Sequence, residues 1–544
     1  MSIKRRSVLA GMAASAVASG CERGAKREPV SLKFVGQSPE RGHVLRMGKP
    51  AEAASERIKV NTLIVGAGAA GTAAAWRLHR AGMEDYLVVE LEDSGGGTAA
   101  SGQSARSKYP MGAHYLPSPH PDFELMHLLL REVGVEFGTD AAGRAEYDPS
   151  IVCRAPVERH RYKGQWFEGL YPGMGQSPEE AAQWDRWWEH LRALEKTRGS
   201  DGRRLFDLPV ERSSVDRRDL DALSMDAYLR EHGFESWRLR WAVDYACRDD
   251  YGTRLEDTSA FAGLHHYLCR GLEETHERVT LMWPGGNGEL VAKVADAAEL
   301  EPRRRTGLIV FDIDASAGVA HAWDFAKKSV VEISAQSIIW AAPRFVLPHV
   351  VASDPLPRGA LTYTPWLVAN VAVDRRPGGI GAPLAWDNVD VEASHLGYVV
   401  STHGESLVDA ETKRGSVLSF YDAYVATAER GLDAGRGALL GASLEELASG
   451  VTAGLEGMHP GISATIRSME FARWGHAMIR PVPGLLFGDG LGLARRSVGV
   501  VVPCATDVGG VPLFEQAFCN GVSAAEEALG AAGIRVESVL GASG

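Results

Sequence analysis

Three glycines set the first chemical question of this sequence: Gly66, Gly68 and Gly71, in the run Gly66-Ala67-Gly68-Ala69-Ala70-Gly71. The run follows Val60-Asn61-Thr62-Leu63-Ile64-Val65, whose apolar character predicts a buried strand, and opens the stretch Thr72 to Ala81, which reads as a helix. In that setting Gly66 permits a tight turn and Gly68 lets backbone amides approach a pyrophosphate. Gly71, next to Ala70, lets the helix pack close to the sheet with its positive end toward the phosphate charge. Gly82 stops the helix, Tyr86-Leu87-Val88-Val89 predicts a second strand, and Glu90 closes it. A carboxylate there accepts hydrogen bonds from a ribose diol and disfavours a 2′-phosphate. A turn without a ligand would gain from Ala at a helix start, so the pattern reads as a dinucleotide site. By itself the motif admits FAD or NAD. No second such motif follows a strand, and Gly488-Asp489-Gly490-Leu491-Gly492 has the wrong spacing, so a separate NAD(P)H site is not expected.

Other polar residues carry weaker signals. Asp249 and Asp250 could attract a cationic amine, but a charge pair beside Arg248 reads first as a solvated helix end. His265-His266 has the wrong spacing for two ligands on one helical face, and Cys153, Cys247, Cys269, Cys504 and Cys519 show no metal pattern. No metal site is expected, and these cysteines read as free buried thiols.

The residues after Glu90 decide between the two nucleotides. Leu91-Glu92-Asp93-Ser94-Gly95-Gly96-Gly97-Thr98, followed later by Met111-Gly112-Ala113-His114, resembles the flavin-containing amine oxidase superfamily, which includes phytoene desaturase and protoporphyrinogen oxidase. The resemblance implies that Gly96 and Gly97 turn over the pyrophosphate of FAD and that Gly112 and Ala113 lie beside the flavin. Thr98 stands where the family has Arg. Near the C-terminus, Val500-Val501-Val502-Pro503 and Cys504-Ala505-Thr506-Asp507 precede Val511-Pro512-Leu513-Phe514-Glu515-Gln516. By the same resemblance Asp507 contacts the ribityl chain or pyrophosphate, and the helix from Phe514 aims its positive end at the flavin O2 side. Gln516 replaces a usual Gly. A third element, Trp283-Pro284-Gly285-Gly286-Asn287-Gly288-Glu289-Leu290, introduces a helix to Leu300 and strands at Leu308 to Ile313 and Ile338 to Pro343, where backbone around Val310 matches the family's adenine contact. No Cys lies between Pro481 and Gly492, so the FAD is expected to be non-covalent.

For catalysis the resemblance singles out Arg473-Trp474-Gly475-His476, with Trp474 as a wall of the flavin and His476 facing the substrate, and His114 at the flavin edge. The family's Lys near the flavin has no counterpart in Leu367-Val368-Ala369-Asn370-Val371-Ala372-Val373, where Asn370 is the nearest polar substitute. The implied function is hydride transfer from an organic substrate, amine or amino-acid-like in first place, with reoxidation by oxygen, a quinone or a partner protein. Desaturation of a C–C bond and a non-catalytic FAD-binding scaffold are the alternatives.

The resemblance predicts an α/β fold with a Rossmann-like FAD-binding domain, built on a parallel sheet, interleaved with an α+β substrate domain. The FAD-binding parts are 58–118, 278–347 and 472–533. The substrate parts are a mostly helical 119–277 and a strand-rich 348–471, and a tail follows at 534–544. A formal charge of −12 over 544 residues argues against nucleic acid or an anionic membrane surface as partner. Residues 1–21 stand apart. Lys4, Arg5 and Arg6 precede the weakly apolar run Val8 to Ala18, which is too short to span a bilayer and resembles a twin-arginine export signal. A periplasmic protein is the expectation. Ala16-Val17-Ala18 fits a cleavage site and Cys21 a lipoprotein box; the polar stretch 22–57, which reads as a tether, favours a lipid anchor at Cys21.

Overall fold

The structure, a computed structural model, describes residues 29–46, 48, 50, 52–272, 278–404, 415–427 and 430–541; the export signal and Cys21 lie outside them. The strand Glu56–Val65 sits in the middle of a seven-stranded sheet. Ile64 packs against Ala73, Ala74 and Trp76 on one side, while Leu63 and Val65 join a second cluster with Val310, Ile333 and Leu347 on the other. Both faces are therefore covered, which is why the strand ends in a continuous apolar run instead of an alternation. Tyr86–Val89 pairs parallel on one side, followed by Arg304–Arg305. Ser329–Trp340 pairs parallel on the other, and near its end takes up Val501–Pro503, also parallel. The expected parallel Rossmann-like sheet is present, fed by three separate chain segments. It carries an antiparallel extension, Val319–Asp324 and Leu308–Asp314.

The second sheet has eight strands in the order Ser31–Phe34, Ile466–Ile479, Tyr363–Val373, Ser416–Ala423, Gly397–Val400, Asp387–Asp390, Glu158–Tyr162 and Gln165–Glu168. With the helices Pro178–Lys196, Met225–Glu231, Trp237–Tyr251 and Ala260–Leu268 it forms the α+β part. Three boundaries differ from the sequence expectation. Within the mostly helical 119–277, Glu158–Glu168 supplies an edge hairpin of this sheet. The strand Ile466–Ile479 runs through the boundary placed at residue 472, so the return to the first sheet comes only after Arg480. Ser31–Phe34, placed in the tether, pairs parallel with Ser468–Phe471, and Lys33 reaches Glu470 at 3.2 Å. Four residues with no buried position give no periodic signal; backbone pairing holds them, helped by Leu32 against the core and by Arg473 over the Phe34 ring at 3.7 Å. In the expected tail, Ile534, Val536 and Val539 pack on the core and the Glu537 carbonyl accepts from Arg77 at 2.9 Å.

Candidate active site

The glycine loop divides into positions the fold requires and one it does not. A Cβ on Gly71 would lie 1.9 Å from the Gly66 carbonyl oxygen, so close packing of helix on loop demands glycine there. Gly68 has φ −79°, open to any residue, and a Cβ would find no protein atom nearer than 3.7 Å. Nothing in the polypeptide needs glycine at 68, so the space in front of it is kept for something else. Gly68 bridges to Gly96, and Gly97 lies across from it. The Thr98 carbonyl accepts from the Ala113 amide at 3.0 Å, which ties the Gly112–Ala113 turn to the Gly96–Gly97 turn.

These turns border a cavity of about 290 Å³ that reaches both sheets. Its lining includes Gly68, Ala69, Ala70, Gly96 and Gly97 together with His114, Tyr421, Trp474 and His476. Two helix starts open on it. Ala69–Arg80 begins after Gly68 and Phe514–Ala531 after Leu513, each without a side-chain cap, so orphan amides and positive dipole ends point at the cavity. Asp507 lines it as well. Its Oδ2 accepts from the Tyr363 hydroxyl at 2.6 Å and the Arg344 amide at 2.7 Å, while Oδ1 is buried without a partner. Burial holds the Asp507 pKa above the ordinary carboxylate range, so a hydroxyl donor there would relieve a real deficit. A dinucleotide with a pyrophosphate and a polyol chain supplies the groups that these features lack.

Glu90 is buried at 8% exposure. It accepts from the Ala67 amide at 2.7 Å through Oε2 and from the Glu92 amide at 3.0 Å through Oε1. It thus fixes the glycine loop to the end of the second strand, and two accepted bonds leave acceptor capacity for a diol. The strand that carries Val310 starts beside this residue, since the Leu308 amide donates to the Glu90 carbonyl at 2.9 Å. Val310 is 3% exposed inside the antiparallel extension, and the residues that add to the second strand are Arg304 and Arg305. The Glu90 amide donates to the Arg305 carbonyl at 2.8 Å. The apolar strand drew attention in the sequence, whereas two arginines before it gave no strand signal.

Trp474 pairs across the strands with Trp366, donates through Nε1 to the Met111 carbonyl at 2.6 Å and lines the cavity, as expected of a wall. His476, two residues on, faces the same cavity and stacks on Phe345 with ring centroids 4.3 Å apart. Burial first, and Arg436 second, lower its pKa to about 4, so the ring is neutral at pH 7. His114 is also neutral, with a pKa lowered to about 4 by burial. Its ring lies 4.6 Å from Tyr421 and 5.5 Å from Trp386. Asn370 does not belong to the site: it is 1% exposed, donates to the Pro110 carbonyl at 3.0 Å and accepts from Ser419 at 2.5 Å. From that strand Trp366 and Val368 reach the cavity instead.

Asp249 and Asp250 correct the reading of a solvated helix end, because both line the cavity. Helical spacing held the clue: Asp249 follows Tyr245 by four residues, and Tyr245 follows Trp241 by four, an aromatic row whose rings stack at 5.7 Å. Burial opposes ionisation of Asp250, but His266, with Nδ1 at 2.5 Å, and Arg270 hold its pKa below the ordinary value. Asp249 goes the other way, pushed up to about 8 by burial and by the charges of Asp250 and Glu158. Arg270 and Glu515, a buried bidentate pair at 2.7 and 3.1 Å, complete the wall beside the C-terminal helix. The described cysteines are free and buried. Among the described residues no three His, Cys, Asp or Glu side chains form a group able to hold a metal ion.

Residues 64–132 match a family described as an NAD(P)-binding Rossmann-like domain. No curated protein matches the chain. Solved structures share its fold. A putrescine oxidase, solved with putrescine bound, is 16% identical with a TM-score of 0.62 over 87% of this chain and 100% of that one. Cyclohexylamine oxidase from Brevibacterium oxydans is 17% identical, with a TM-score of 0.58 over 86% and 98%. A conjugated-linoleic-acid-producing fatty acid isomerase from P. acnes is 15% identical, with a TM-score of 0.57 over 85% and 97%.

Proposed function

We propose that this chain is an FAD-dependent oxidoreductase that takes a hydride from an organic substrate, an amine or amino-acid-like compound in first place. The observation that carries this reading is that one cavity is lined by Gly68, by the two uncapped helix starts and by the aromatic side chains of Tyr421 and Trp474. The Gly66–Gly71 loop, Gly96 and Gly97 would hold the pyrophosphate of FAD, Glu90 the ribose, Asp507 the ribityl hydroxyls, and Gly112, Ala113 and the helix at Phe514 the flavin. Bound FAD would supply a two-electron acceptor for the hydride. The chain's own part is to orient the C–H bond, keep water out with Trp366, Tyr421 and Trp474, and take up the substrate's proton. His476 suits that last task, since it is neutral at pH 7 and no described residue hydrogen-bonds its ring. Loss of a hydride from carbon and a proton from nitrogen turns an amine into an imine. Val368, apolar where the strand Tyr363–Val373 meets the cavity, supports C–C dehydrogenation as a second reading.

Protein purified from a flavin-replete host should be yellow and release one FAD per chain on heating. Gly68→Val should abolish flavin binding, because its side chain would fill space that only a ligand uses. Colourless parent protein free of nucleotide would overturn the proposal.

A further inference from the structure

The two oxygens of the Asp507 carboxyl have unequal surroundings, and the difference involves both sheets. Asp507 sits in the short turn Thr506–Gly509, just after Val501–Pro503 of the seven-stranded sheet. Its Oδ2 takes two donors, the Tyr363 hydroxyl at 2.6 Å and the Arg344 amide at 2.7 Å, whereas no described residue reaches the buried Oδ1. The amide is held in place by its own side chain. The fully buried Arg344 guanidinium pairs with Asp354 at 2.7 Å and donates to the Ala494 carbonyl at 2.8 Å. The hydroxyl comes from the other sheet. Tyr363 opens the strand Tyr363–Val373, lines the cavity, and keeps its ring 5.0 Å from Phe345 and 5.8 Å from His476. Burial, with Asp507 beside it, holds the Tyr363 pKa well above the ordinary tyrosine value, so the hydroxyl keeps its proton and donates. Two donors on one oxygen fix the rotation of the carboxyl. Oδ1 is then left to a group that can both donate and accept, whichever protonation state Asp507 adopts, and a hydroxyl is such a group.

We propose that Tyr363 is a cofactor-positioning residue: through its hydrogen bond to Asp507, the substrate sheet holds that carboxyl in the rotation that meets a ribityl hydroxyl of FAD. The inference rests on the cavity being the FAD site. It assigns Tyr363 to the ribityl chain alone, because the adenosine and pyrophosphate are given to Glu90 and the glycine turns, none of which hydrogen-bonds to Tyr363.

The test is equilibrium dialysis of the purified holoprotein against a fixed excess of FAD and rising ADP, with protein-bound flavin read by absorbance. ADP carries the adenosine and pyrophosphate but no ribityl chain, so the ADP needed for half-displacement reports the affinity for FAD relative to ADP. Tyr363→Phe keeps the ring beside Phe345 and His476 and removes only the donor. It should bind FAD about 10-fold more weakly and ADP as the parent does, so that half-displacement needs about 10-fold less ADP, the scale of one hydrogen bond to a buried carboxyl. Asp507→Ala should move the ratio the same way and by at least as much. General damage to the fold would weaken FAD and ADP together. A ratio within about 3-fold of the parent's in either variant, or parallel loss of both ligands, would overturn the assignment. A parent that binds no FAD would contradict the proposed function itself, whereas a parent that binds FAD with a ratio unmoved by Tyr363→Phe would contradict this inference alone.

Discussion

His476 is where the chemistry and the electrostatics can be separated by one side chain. Its ring is stacked on Phe345, faces the cavity and is depressed to a pKa of about 4, chiefly by burial. A base with that pKa stays unprotonated from neutral pH down to about 4, so its acid limb falls well below the 6.5 of a free histidine. His476→Ala should keep its FAD while the rate of anaerobic flavin reduction drops about 10²-fold, the usual scale of general acid–base help. In the parent, the reduction rate at saturating substrate should lose this contribution only as pH falls toward 4. Stopped-flow reduction across pH checks both, and a variant that matches the parent at every pH would make His476 structural. Trp474 and His476 were singled out by the family resemblance, and both line the cavity. Asn370 was not correctly placed, because its strand contacts the cavity at Trp366 and Val368, and position 370 lies further along, against Pro110.

At the scale of elements, the C-terminal helix Phe514–Ala531 joins the two halves of the site. Its first turn borders the cavity, and Gln516, where a glycine was expected, accepts from the Val210 amide at 2.9 Å and donates to Glu211 at 3.1 Å. The departure from the family pattern thus has a structural use: it fastens the helix to the helical segment. Glu515 in the same turn is 1% exposed and depends on Arg270. Arg270→Met should destabilise the protein by about 3–5 kcal/mol, because it leaves an unpaired carboxylate in a buried place. Denaturant unfolding of parent and variant measures this; a loss under about 1 kcal/mol would mean that water or another cation already serves Glu515. The helix was legible in the sequence from Phe514 onward. Its ion pair was not, since Arg270 and Glu515 are 245 residues apart and no local spacing connects them.

For the molecule as a whole, the glycine run and the acidic end of the second strand pointed to a dinucleotide-binding unit, and the family resemblance implied the parallel sheet and the three segments that feed it. What escaped were features decided by tertiary pairing: the edge strand Ser31–Phe34, the hairpin Glu158–Glu168, the arginine strand beside Glu90, and the carboxylate Asp249 turned inward at a helix end. Each has polar or mixed composition and is placed by pairing or packing with elements distant in sequence. Three of the four are edge strands of the two sheets, and only Asp249 lines the cavity to which the proposed reaction is assigned. Anaerobic mixing of the FAD-loaded protein with a panel of amines, diamines, amino acids and polyenes tests the claim most directly. An amine or amino-acid-like member of the panel should bleach the oxidised flavin spectrum and yield an imine or its hydrolysis product in equal amount. A flavin that stays oxidised with every member of the panel, while FAD remains bound, would contradict it and favour a non-catalytic FAD-binding scaffold.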